Sequence, residues 1–118
     1  MKFFHTADVH LGAEPDRGFP WSRDRSREIW ESFRNVIRQA GAEHADLFLI
    51  AGDLFHRQPL ARELKEVNAM FASIPETKIV IMAGNHDYLK KNCAYRKFPW
   101  AQNVFWFWDT VPKTLEFP

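Results

Sequence analysis

The chain has 118 residues, enough for one domain, and 46% hydrophobic with 26% charged residues is the balance of a chain that folds around a core. The formal net charge of +1 excludes a general basic field for indiscriminate nucleic-acid binding, so any such contact needs a local patch. A lone cysteine, Cys93, excludes an internal disulfide, and the absence of a long apolar run excludes a membrane span, so a cytoplasmic protein is expected.

In chain order, the first apolar run covers residues 2–7. A helical pattern follows over 24–40, with Ile29, Phe33, Val36, Ile37 and Ala40 on one face. Asp24, Glu28 and Glu31 stand near its start, and Gly41 is expected to stop it. The second apolar run, 46–51, is continuous rather than alternating. A second helix is expected over 60–73, with Leu64, Val67, Met70 and Phe71 on one stripe, Pro59 at its entry and Pro75 past its end. The third run, 78–83, is again continuous. Unbroken runs of this length predict strands buried on both faces of a parallel sheet. Farther on, 91–97 suggests a short helix, 103–108 another strand, and 114–117 the start of one more. Strand, helix, strand, helix, strand predicts successive right-handed crossovers in an α/β fold.

Polar residues follow each of the three runs. Asp8-Val9-His10 comes after the first, Gly52-Asp53 after the second, and Gly84-Asn85-His86-Asp87 after the third. Ligands of open α/β sheets bind outside the carboxyl ends of the strands, so these segments are expected to converge. Two carboxylates, imidazoles and an amide oxygen suit divalent cations of intermediate hardness. In an extended segment Asp8 and His10 point the same way and grip one ion. Asp53 can give an oxygen to each of two ions, and Asn85 a carbonyl oxygen to the second. Paired ions suit phosphate-ester hydrolysis. His86 reads as the group that stabilises the transition state or protonates the leaving oxygen, with Asp87 beside it keeping it charged. Taken singly, Asp8 and Asp53 also read as turn or cap residues, and Gly84-Asn85 as a turn pair. It is the three segments in order that favour a metal site.

Those three segments resemble the first three motifs of calcineurin-like metallophosphoesterases. His5-Thr6-Ala7-Asp8-Val9-His10-Leu11-Gly12 and Ala51-Gly52-Asp53-Leu54-Phe55-His56 are similar to the SbcD-type DNA repair nucleases. The resemblance implies the βαβαβ N-terminal half of an αββα sandwich. It implies two divalent ions, manganese by family habit, in an exonuclease and endonuclease acting on DNA. It also implies an SbcC-type ATPase partner and homodimerisation. Carried over by position, Asp8, His10, Asp53 and Asn85 are metal ligands, His86 is catalytic, and His56 is a supporting histidine. The family's later ligands, a lone histidine and a Gly-His-x-His motif, have no counterpart, because no histidine follows His86. The expectation is therefore a single truncated domain over 1–118 with its C-terminal half absent. It should hold at most one tight ion, be inactive alone and tend to form dimers or strand-exchanged oligomers. A phosphatase or phosphodiesterase of the same superfamily, or a non-catalytic metal-binding or dimerising module, are the alternatives.

Outside those motifs, His5 reads as a packed strand residue and His44 as a solvated loop residue. Arg17, Arg23, Arg25, Arg27, Arg34 and Arg38 read as a solvated helix face paired with acids, in preference to a phosphate patch. The aromatic run Trp100, Phe105, Trp106, Phe107 and Trp108 reads as a core strand, in preference to a base-stacking surface.

Overall fold

The computed structural model describes residues 1–83, 97–107 and 114–117. Four strands form one parallel sheet in the order β1 (Phe3–Thr6), β2 (Leu47–Ala51), β3 (Lys78–Met82), β4 (Val104–Phe107). Helix α1 (Ser22–Ala42) joins β1 to β2, and α2 (Ala61–Ala72) joins β2 to β3. Each parallel strand is added on the same side of the one before. Right-handed crossovers then place both helices on one face. That face holds the core: Phe33, Ile37 and Ala40 of α1 and Leu64, Val67, Met70 and Phe71 of α2 pack on Phe48, Ile50, Ile79, Ile81 and Trp106.

The expectation of strands buried on both faces is overturned. Burial alternates along β2 and β3, with Phe48, Ile50, Ile79 and Ile81 buried and Leu47, Leu49, Lys78 and Val80 only half-buried. Among the described residues no helix covers that second face; Phe117 touches it at Phe105, and Phe3 is 59% and Met82 49% exposed there. His5, expected to be packed, lies exposed there, and with Leu49, Val80, Met82 and Phe107 it lines a shallow apolar groove of about 210 Å³. The continuous runs were composed for a sheet with two covered faces, and the two helices cover one.

Helix α1 is longer than its apolar pattern. Gly41 lies inside it rather than ending it, and the turn out of the helix is made by His44 in the left-handed region at φ 54°. His44 itself is exposed, as read from the sequence. The reason for glycine at position 41 is proximity, since a Cβ there would stand 2.5 Å from Ile74 Cγ2. A Gly41→Ala variant is expected to lose about 1–3 kcal/mol by overpacking against the loop after α2, despite alanine's better helix propensity, as measured by chemical denaturation. Val36, placed on the inner stripe by its spacing, is exposed instead.

In α2 the stripe Leu64, Val67, Met70 and Phe71 is buried as expected. At the end of the helix lies a residue that periodicity does not reveal. Asn103, buried just before β4, donates from Nδ2 to the carbonyl oxygens of Phe71, Ile74 and Thr77 at 2.9, 3.1 and 3.0 Å. Thr77 Oγ1 in turn donates to Ala45 O at 2.8 Å. These bonds satisfy carbonyls at the exposed end of the helix ladder and tie the α2–β3 turn to its neighbours. The aromatic segment before and within β4 packs as a core strand, with Trp106 buried and Trp100 against Phe71 and Trp106. Trp108 and the expected helix over 91–97 lie outside the described residues, apart from Lys97. Residues 114–117 form no strand, although Phe117 sets its ring edge against Phe105.

Candidate metal centre

The strands β1 and β2 pair in a register that joins Phe3 to Leu47 and Thr6 to Ile50. Beyond the strand ends the two loops stay together. Asp8 N donates to Gly52 O, His10 N to Asp53 O and Leu11 N to Leu54 O, at 3.1, 2.9 and 2.8 Å, and His56 N returns a bond to Leu11 O at 2.8 Å. An isolated parallel bridge pairs Leu11 with Phe55, which resumes the register of the strands. Residues 8–11 and 52–56 are therefore one hydrogen-bonded unit, although more than forty positions separate them.

Within this unit, anchors alternate with donors. Val9, Leu11, Leu54 and Phe55 pack into the core, and the polar residues between them are held at the rim. One carboxylate oxygen each from Asp8 and Asp53 and one imidazole nitrogen of His10 all lie within 4.8 Å of one another. Asp8 is exposed, His10 half-buried and Asp53 only 8% exposed. Two carboxylates and an imidazole at the rim of the sheet form a donor set that suits a divalent cation.

The extended segment expected at Asp8 and His10 is not what brings them together. Asp8, His10 and Asp53 have φ of 55°, 56° and 51°, and Gly52 and Gly12 are at 91°. Left-handed backbone costs a residue with a Cβ on the order of 1 kcal/mol, less for aspartate than for most. Three such residues at one place store strain where the donors converge, as happens at ligand sites. Both segments turn sharply after each donor, and the donors share a point for that reason.

His56 stands behind His10. The two rings meet edge to face with centroids 5.4 Å apart, and Nδ1 of one lies 3.4 Å from Nδ1 of the other. The contact restrains the rotation of the His10 ring. Beside His56, Arg57 forms a two-pronged ion pair with Glu63, Nη1–Oε1 at 2.8 Å and Nη2–Oε2 at 3.1 Å. Glu63, 7% exposed, also accepts the Leu60 N–H at 2.8 Å and so fixes the start of α2. The hydrogen bond that Arg57 donates to Glu63 raises the Arg57 pKa above its ordinary value, against the opposing effect of burial. Gly12 leaves room for this pair: a Cβ there would lie 3.3 Å from Arg57 Cζ, on backbone with φ 91°. The Arg57–Glu63 clamp was not foreseen. A Glu three residues into a helix, facing a free N-cap N–H, was the available signal.

Strand β3 pairs with β2 through to Met82 opposite Ala51, so the chain leaves both strands at the same rim. Asn85, His86 and Asp87 lie outside the described residues, as does Cys93.

A model of the calcineurin-like phosphoesterase family matches residues 1–114. The chain belongs to that family. The chain is 40% identical, over 74% of its length, to a DNA double-strand break repair protein Mre11 of Archaeoglobus fulgidus, of which it covers 19%. It is 38% identical over 73% of its length to the Mre11 of Aeropyrum pernix, covering 21% of it. An uncharacterized metallophosphoesterase YhaO of Bacillus subtilis is 31% identical over 99% of the chain, which covers 30% of that protein. The chain thus spans less than a third of the length of these relatives. Phosphoesterases of this family bind divalent metal, and the Asp8–His10–Asp53 cluster is a donor set of that chemistry. No described helix is long and apolar enough to cross a membrane.

Proposed function

We propose that these residues form part of the active site of a metal-dependent nuclease that hydrolyses phosphodiester bonds in DNA. The convergence of Asp8, His10 and Asp53 within 4.8 Å carries this reading. The family match supports the ester chemistry, and the Mre11 relatives, named as DNA double-strand break repair proteins, support DNA as substrate.

In this reading Asp8, His10 and Asp53 hold a divalent cation, manganese by preference. Asp53 and Asn85 lead to a second one. A cation bound there supplies the charge that draws in a phosphate oxygen and activates water. The chain itself does the rest. The bonded pair of loops fixes the three donors, His56 holds the His10 ring, and the Arg57–Glu63 clamp steadies the segment that carries His56. His86, with Asp87 next to it, protonates the leaving oxygen.

The described donors are those of one ion, so the isolated chain is expected to bind a single manganese ion in calorimetry and to leave DNA ends uncut. Robust manganese-dependent cleavage by the chain alone overturns the one-ion reading, and a titration with no heat of binding overturns the metal centre. In the full-length gene product, loss of DNA-end cleavage in His86→Ala with metal binding retained supports the nuclease. Hydrolysis of small phosphate esters with DNA left intact moves the protein to another branch of the family.

A further inference from the structure

The loop between β1 and α1 carries two large aromatic side chains that the core does not use. Phe19 is 55% and Trp21 48% exposed. Their rings stack at 4.8 Å with planes 19° apart. Exposed aromatics normally stand singly and move freely, but this pair is held. Trp21 Nε1 donates to Asp16 Oδ2 at 2.8 Å, and Asp16 also meets the Arg25 guanidinium at 3.5 Å. Two successive turns, Phe19 N to Asp16 O and Ser22 N to Phe19 O, fix the backbone beneath. Gly18 sits at φ 94° with open space where a Cβ would be, so its role is the turn itself.

Surrounding charge is cationic. Arg17, Arg23, Arg25 and Arg27 face the acids Glu14, Asp16 and Asp24. Arg25 and Arg27 are neutralised by Asp16 and Asp24, and Arg17 by Glu14 at 3.4 Å. Arg23 forms no ion pair among the described residues. The pairing with acids expected of this arginine cluster holds for Arg17, Arg25, Arg27 and Arg34, while Arg23 and Arg38 show no ion pair among the described residues.

Position gives the patch its meaning. A depression lined by Phe19, Arg17, Arg23 and Glu14 adjoins a second one lined by Arg17, Glu14, Gly12, His56 and Arg57. His56 contacts His10 of the metal cluster. The two depressions share Glu14 and Arg17, so the Phe19 side of the loop and the His56–Arg57 side next to the metal cluster are neighbours on the surface. We infer that this stack, braced by Asp16, is a platform on which an unpaired nucleobase of a DNA strand lies, with a phosphate of the strand at Arg23, as that strand leads to the metal centre. An aromatic face offers sequence-tolerant stacking and an unneutralised guanidinium offers phosphate contact, which together are the chemistry of single-strand binding. The inference deepens the DNA reading of the site and rests on it.

The test is fluorescence anisotropy of this chain with a labelled oligothymidylate and with an abasic strand of the same length, at low salt in EDTA so that no cation contributes. The thymidylate is expected to bind more tightly. Phe19→Ala should weaken it roughly tenfold or more, to the level of the abasic strand, since stacking contributes about 1–3 kcal/mol per base. Phe19→Tyr should restore binding, and Arg23→Ala should weaken both strands alike. Equal binding of the two strands, or an unaffected Phe19→Ala, overturns the platform alone. A chain that binds neither strand overturns the DNA reading with it. Self-association in sedimentation that disappears in Phe19→Ala would assign the stack to a second copy instead, and also overturns the inference.

Discussion

In an Asp53→Gly variant, manganese is expected no longer to raise the melting temperature, while the metal-free protein is expected to melt no lower than the unsubstituted chain. The two halves of this result have separate causes. A ligand that binds only the folded chain stabilises it by about 2.7 kcal/mol at a hundredfold excess over its Kd, which for a domain of this size is a shift on the order of 10 °C. Removing one of three donors, and the most buried of them, is expected to weaken binding by at least a hundredfold and to erase that shift. Without metal, Asp53 still carries its backbone strain. Its backbone is left-handed at φ 51°, and its carboxylate lies beside that of Asp8. Glycine relieves the strain. Differential scanning fluorimetry with and without manganese reads both halves. A metal-free variant that melts well below the original would show that Asp53 is structural, and a retained manganese shift would show that it is no ligand.

The second large effect is on the fold. An Asn103→Ala variant is expected to lose roughly 2–4 kcal/mol, because one truncation removes three hydrogen bonds of a buried amide, each contributing on the order of 1 kcal/mol, although Phe71 O and Ile74 O keep their backbone partners Ile74 N and Thr77 N. For a chain of this length that corresponds to a fall in melting temperature on the order of 10–20 °C. The amide joins the end of α2 to the entry of β4, so the loss should appear as earlier hydrogen exchange at the α2–β3 turn and β4 while the β1–β2 loops keep their protection. A uniform loss of protection across the sheet would show instead that the chain opens as one unit. Chemical denaturation gives the magnitude; a change below about 0.5 kcal/mol, the range of ordinary surface substitutions, would mean that water replaces the amide.

The order of elements, the parallel sheet and the residues at the strand ends were legible in the sequence because each rests on a local pattern. Apolar runs mark strands, a stripe at helical spacing marks α2, and polar residues directly after a strand mark the rim where ligands bind. Asp8, His10 and Asp53 were accordingly named from their places after the first two runs, and they lie together. How they come together was not legible. It depends on the left-handed backbone at each donor and on two loops extending the β1–β2 register past the strands, both of which arise only once distant segments pair. Burial misled for the same reason. Continuous apolar runs state that a strand can be covered on both faces, and only the placement of α1 and α2 on one side decides which face is covered. Gly41, Asn103 and the Arg57–Glu63 clamp are further decisions of the tertiary structure, since each acts on a partner chosen by packing and not by spacing. The sequence by itself determined which chemical groups stand at the rim of the sheet, because that needs only the period of a strand and the residue after it. Their shared point, their strain and their supports required the assembled fold, because contact between remote segments is set by register and closure, which no local window contains.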